Sequence, residues 1–212
     1  MTGGFAFRAV VALMPMLSAC AVWRAPPPPL PLAQVEIVED RVPIDWRSVI
    51  TPADRDRLAR ADAAWKQGLA AARPRFRAAI SDEGPLLDPA AALPRAAPTP
   101  GVYMCRVVKL GGRPAFAAFK PFYCYVEAED ELLTLVKHGG SQRPAGRLWT
   151  ESDTRLVFLG ALGTAYAASP AADVVGHLER IGPFRWRLAA PFPNDGASID
   201  VYELVPLVPE RP

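Results

Sequence analysis

Histidine is nearly absent from this chain, for among 212 residues only His138 and His177 occur, and cysteine occurs three times. A protein-built metal centre needs three or four donors, so no metal site is expected. The sequence also lacks G-x-S-x-G, H-E-x-x-H, a Walker loop and a dinucleotide fingerprint. Each of those spacings places a nucleophile, a metal pair or a phosphate cradle on a defined turn. Without them no cofactor and no catalytic residue is assigned, and a non-catalytic protein is expected. The one catalytic alternative is a hydrolase using Ser141 with His138 three residues before it. A triad is defined by spatial geometry that spacing cannot supply, and ordinary loop residues are the simpler account. His177, inside an apparent strand with Asp173 and Glu179 nearby, is expected to be a hydrogen-bonded structural residue.

Charge of one sign is missing too. The chain carries 24 Lys and Arg against 22 Asp and Glu. With no basic block, nucleic acid is not an expected partner. Arginine exceeds lysine by 20 to 4, which we read as codon bias, so no single arginine is strong evidence of function. Long apolar runs are absent as well. Residues 9–17 form an apolar stretch of nine, well short of the roughly 20 residues a membrane-spanning helix needs.

That short stretch follows Arg8 and ends in Leu17-Ser18-Ala19-Cys20, the pattern of a bacterial signal peptide cut ahead of a cysteine that is then acylated. Residues 1–19 are thus expected to be a signal peptide, with Cys20 the lipidation site. Lipid on Cys20 would make the membrane a partner, two or more acyl chains being required for a stable anchor. Ala21 after the cysteine permits sorting to the outer membrane, facing the periplasm. The plainer alternative is an ordinary signal peptide with Cys20 a bystander.

Residues 20–44 read as the lipidated cysteine and a tether, because Pro26-Pro27-Pro28-Pro29 favours polyproline II. A single globular domain is expected over 45–206, with a tail at 207–212. Thr51-Pro52-Ala53-Asp54 supplies an N-cap, a proline at the first helical position and an acid in the first turn. A helix over 52–73 follows, whose stripe of Leu58, Ala61, Trp65, Leu69 and Ala72 should face a sheet, with Pro74 bending or ending it. Residues 84–101 hold five prolines and read as an ordered loop.

From 102 onward short apolar runs alternate with turn residues. Strands are expected at 102–110, 122–127, 132–137, 143–149, 155–162, 174–181, 184–189 and 199–205, with a short ninth at 116–119. The fold class is therefore mainly β with an N-terminal α-helix: an antiparallel meander of about eight strands, a barrel or strongly curved sheet covered by one helix. Pro144 suggests an edge or bulge in the fourth run. Phe184-Arg185-Trp186-Arg187-Leu188 alternates as a sheet with one wet side would. Leu156-Val157-Phe158-Leu159 is apolar on both faces, and the Trp65 helix is its expected cover.

With Cys20 acylated, Cys105 and Cys124 remain as a pair in an oxidising compartment, where a disulfide is the usual outcome. A catalytic thiol or half a metal site are the alternatives, though no CxxC or adjacent histidine accompanies them. Several segments together resemble a known family: Thr51-Pro52-Ala53-Asp54-Arg55-Asp56-Arg57-Leu58 ahead of Trp65, Tyr103-Met104-Cys105-Arg106, Phe122-Tyr123-Cys124, Gly140-Ser141-Gln142-Arg143-Pro144-Ala145-Gly146-Arg147-Leu148, and Glu179-Arg180-Ile181-Gly182-Pro183-Phe184-Arg185-Trp186-Arg187-Leu188. Over roughly 45–206 the chain resembles domain-of-unknown-function family 4893, found in proteobacterial lipoproteins. The resemblance implies an exported single domain and a Cys105 to Cys124 pairing, and assigns no activity.

Residues 137–147 concentrate polar side chains beside glycines, as a loop approached by a ligand would. The candidate binding residues are Ser141, Gln142, Arg143 and Arg147, since an arginine fork suits carboxylate or phosphate. Strand alternation would put Arg143 and Arg147 on one face unless Pro144 or Gly146 breaks the register. The expected partners are a small apolar or anionic ligand, or an envelope protein. A binding or structural module predicts a barrel either filled by its own side chains or holding an apolar ligand. A protease inhibitor or partner-binding barrel would instead present 84–101 as its exposed element.

Overall fold

A computed structural model describes residues 45–140, 142–163 and 173–207. The expected signal peptide, Cys20, the whole of the tether, Ser141 and residues 208–212 of the tail lie outside the described residues. Three helices come first, α1 (Trp46–Val49), α2 (Pro52–Ala59) and α3 (Ala61–Glu83), followed by a 3-10 turn at Gly84–Leu87. Nine strands follow: β1 (Gly101–Leu110), β2 (Phe116–Ala118), β3 (Phe122–Glu129), β4 (Leu132–Lys137), β5 (Pro144–Ser152), β6 (Arg155–Leu162), β7 (Asp173–Gly182), β8 (Arg185–Pro191) and β9 (Ile199–Pro206). From β3 to β9 each strand pairs antiparallel with the next. Because β9 also pairs with β1 from Ile199↔Leu110 to Pro206↔Tyr103, the meander closes. The result is an eight-stranded antiparallel barrel, with β2 added beside the end of β1. Closure leaves those eight strands without a free edge.

The helical cover differs from the single helix expected over 52–73. Thr51 caps α2, its hydroxyl accepting from the Asp54 amide at 3.1 Å, but the helix breaks at Arg60. Pro74 then lies inside α3, which kinks at Phe76 and continues to Glu83. Proline removes one helical hydrogen bond without ending the helix here, because tertiary contacts hold the far segment down. Phe76 stacks on Phe116 at 5.6 Å, and Glu83 is ion-paired with Arg106 of β1.

Strand alternation sends Tyr103, Leu135, Leu148, Phe158, Leu178, Trp186, Leu188 and Leu204 into one buried cluster in the lumen. The barrel is filled by its own side chains, the first of the two interiors expected of a module of this size. Gly146 and Gly160 face each other across β5 and β6, and a Cβ on either would lie under 3 Å from the Phe158 ring. Their bare backbones make room for that ring. Cys105 and Cys124 are disulfide-bonded between β1 and β3 inside the same cluster. Closing a loop of about 20 residues contributes roughly 3 kcal/mol in the chain-entropy model.

Two further clusters lie on the outer wall. Trp65, Leu69 and Ala72 of α3 pack on Val108, Leu110, Ile181, Ile199 and Val201, as the helical stripe implied. The cover over β6 is a different one, however. Val157 and Val175 meet Trp46, Ile50 and Leu58, so α1 and α2, not the Trp65 helix, lie on that strand. The break at Arg60 allows this by letting the two helices lie on different strands. The wet face expected of β8 is also corrected: Arg187 is wholly buried beneath α3 and the 3-10 turn. Phe184, read as its apolar partner, precedes the strand and is 73% exposed.

Candidate functional site

The segment after the 3-10 turn crosses one mouth of the barrel, where the Trp186 Nε1 donates to Ala96 O at 3.0 Å and the Tyr103 hydroxyl to Thr99 O at 2.6 Å. Those two rings meet edge to face at 5.9 Å, plugging the lumen beneath. Burial raises the Tyr103 phenol above its ordinary value, and its role here is a neutral donor. Arg180 donates to Pro94 O, and Ala96 N to Asp153 O, so the segment is pinned on both sides. A groove of about 520 Å³ remains beside it, lined by Arg95, Thr99, Val102, Phe184 and Leu207 among others.

On the outer wall Arg187 donates to Glu179 through Nε and Nη2 at 2.9 and 2.7 Å. It also reaches the carbonyls of Pro85 and Pro89 at 3.2 and 3.1 Å, with its guanidinium 5.0 Å from the Trp65 ring. Arg106 is held between Glu83 and Glu203, and Arg185 shares Glu203. Both carboxylates push the Arg106 pKa upward, Glu83 foremost. These groups spend their donors on the chain itself and tie the 3-10 turn to the barrel.

The opposite mouth is built differently, with charged side chains standing at inward positions of the strands. Lys109 of β1 pairs with Asp200 of β9 and with Asp195. Asp200 is 1% exposed, and burial, against the pull of Lys109, raises its pKa to about 6. Its Oδ1 has no partner among the described residues. A cavity of about 10 Å³ beside it is lined by Asp200, Tyr202, Asp173 and Arg57, about the room of one water.

Across this mouth stands Lys137, the last residue of β4 and 4% exposed. Its Nζ donates to Gly139 O and lies 5.0 Å from the Phe122 ring. Burial lowers its pKa, and the nearby Arg143 guanidinium lowers it further. Among the described residues neither Lys137 nor Arg143 has an ion-pair partner. Gln142 Oε1 is buried beside them and equally unpartnered. A buried, uncompensated positive charge next to a second cation is an arrangement suited to an anion.

The sequence-derived candidates thus divide. Gln142 and Arg143 fall at this mouth with Lys137, and Ser141 is outside the described residues. Arg147 is elsewhere, on the outer wall, donating to both oxygens of Glu129 at 3.0 and 3.3 Å. Arg143 precedes the strand, which begins at Pro144, so the alternation that would align the two arginines does not reach it. His138 sits edge-on to Tyr125 at 4.8 Å. His177 is held neutral near pKa 4 by burial and by Arg155, its Nε2 being 3.7 Å from Glu151.

Sequence reasoning passed over Lys137, although a signal existed. It continues the inward series Leu133, Leu135 in β4, just as Lys109 continues Cys105, Val107 in β1. A cation at a position of core parity is a buried cation. No curated protein and no solved structure matches the chain. Residues 46–204 match the family model described as a domain of unknown function, DUF4893, and the chain belongs to that family.

Proposed function

We propose that the chain is a lipid-anchored lipoprotein of the cell envelope whose barrel is a non-catalytic binding module, holding a small anionic group at the mouth formed by Lys137, Gln142 and Arg143. The observation that carries this reading is Lys137, buried with only a carbonyl for its ammonium while Arg143 stands beside it. Burying an unpaired charge costs several kcal/mol even after relaxation. A bound anion would offset that cost and gain the guanidinium fork of Arg143. The address rests on Leu17-Ser18-Ala19-Cys20 and the proline-rich stretch after it, and the Cys105–Cys124 disulfide suits an oxidising compartment. The inhibitor reading is less favoured, because Leu86, Leu87 and Ala96 of its proposed exposed element are buried.

The test is titration of the full chain with inorganic phosphate and with succinate by calorimetry, beside Lys137→Met and Arg143→Gln. At least one of the two anions should bind, and each substitution should weaken it about tenfold, the 1.4 kcal/mol of one charge-assisted hydrogen bond. Binding that both variants retain would move the site elsewhere. Labelling with a fatty-acid analogue, abolished by Cys20→Ser, checks the anchor.

A further inference from the structure

Between β2 and β3 the chain runs Phe119-Lys120-Pro121-Phe122, and every residue from there to Tyr123 is exposed. Phe119, Phe122 and Tyr123 are 42%, 41% and 52% exposed, an uncommon clustering of aromatic surface. This strip is continuous with the cationic mouth. The Phe122 ring lies 5.0 Å from the Lys137 ammonium and packs so closely on Gly139 that a Cβ there would come within 2.3 Å of it. The acids of this mouth, Asp195 and Asp200, pair with Lys109, and the two stretches of chain that carry the strip and its cations hold none. From 101 to 126 and from 132 to 150 the sequence contains no Asp or Glu, while Lys120, Lys137 and Arg143 fall within those stretches.

We infer that this face rests on an anionic bilayer, Phe119 and Tyr123 entering the interface while Arg143 and Lys137 take a lipid phosphate. The inference depends on the anion-binding reading above and names the lipid headgroup as its source. Amphipathic aromatics seat at the depth of headgroups, and each basic residue near an anionic surface adds attraction. Charge complementarity therefore favours a phospholipid surface. Gln142 Oε1, an acceptor without a donor among the described residues, suits the hydroxyl or ammonium next to a headgroup phosphate.

The test is co-sedimentation of the full chain, carrying Cys20→Ser so that no acyl anchor contributes, with vesicles of phosphatidylcholine alone or mixed with phosphatidylglycerol. Binding should be at least tenfold stronger to the mixed vesicles. Phe119→Ser with Tyr123→Ser should lose the vesicles yet keep inorganic phosphate, and Arg143→Gln should weaken both about tenfold. Phe119→Ser alone, outside any strand, makes the same distinction if the double variant misfolds. Equal binding to both vesicles, or full binding by the aromatic variants, overturns the inference. Phosphate or succinate binding without vesicle binding overturns it while leaving the anion site standing, and failure of vesicles, phosphate and succinate alike removes the two readings together.

Discussion

Two arginines of similar sequence context behave in opposite ways. Arg187 is wholly buried and bonded to Glu179 and a set of backbone carbonyls, whereas Arg147 is half exposed on Glu129. Removing one member of a buried charged network leaves the others unpaired in a low-dielectric site. Arg187→Met should therefore cost about 3–5 kcal/mol, and Arg147→Gln no more than about 0.5 kcal/mol. Urea unfolding of both variants measures the contrast, and equal midpoints would count against the burial argument. At this scale the sequence was ambiguous, for both residues alternate with apolar neighbours. Whether the outward side meets water or another helix is not a property of the strand.

Among the elements, α3 approaches the barrel most closely at Gly68, where a Cβ would lie 2.8 Å from Leu110 Cβ and 3.1 Å from Ile199 Cγ2. Alanine in place of a mid-helix glycine normally gains roughly 1 kcal/mol. Overpacking of this kind costs about 1–3 kcal/mol, so Gly68→Ala should on balance lower the thermal midpoint. A raised midpoint would mean the helix can lift off the sheet. Most strand positions were legible, because period-two patterning and turn residues are local signals; Leu132–Lys137 and Arg155–Leu162 have the expected bounds. The helical break at Arg60 was not, and of the two outcomes Pro74 allowed, bending and not ending, the choice was made by contacts distant in sequence.

At the scale of the whole molecule two buried groups set opposed pH dependences. Asp200 is raised from 3.8 to about 6, so the folded state holds its proton more tightly, and the stability linked to it grows as pH falls from 7 to about 4. His177 is lowered from 6.5 to about 4, so its contribution is full above pH 6.5 and is lost as pH falls through that same window. Shifts of about two units each correspond to roughly 3 kcal/mol. In the parent the two act in opposite directions over that window. Asp200→Asn should leave stability falling more steeply on acidification from pH 7 to 4, and His177→Gln should leave it less steep or rising. Urea midpoints at three pH values test this, and parallel pH profiles for the two variants would contradict it.

By itself the sequence determined most of the strands, the capped helix start and the β-rich class. Each of these follows from neighbours in the chain or from parity, which any conformation must respect. The Cys105–Cys124 bond that the sequence made expected was settled by the pairing of β1 with β3. Tertiary structure alone decided that the sheet closes, that β6 lies under α1 and α2, and that Arg187 lies dry while Arg147 does not. It also decided the candidate site, by bringing Lys137 at the end of one strand to Arg143 ahead of the next while Arg147 stays on the outer wall. Closure sets which side of each strand is lumen and which residues share a mouth, and that depends on pairing the first strand with the last across nearly a hundred residues.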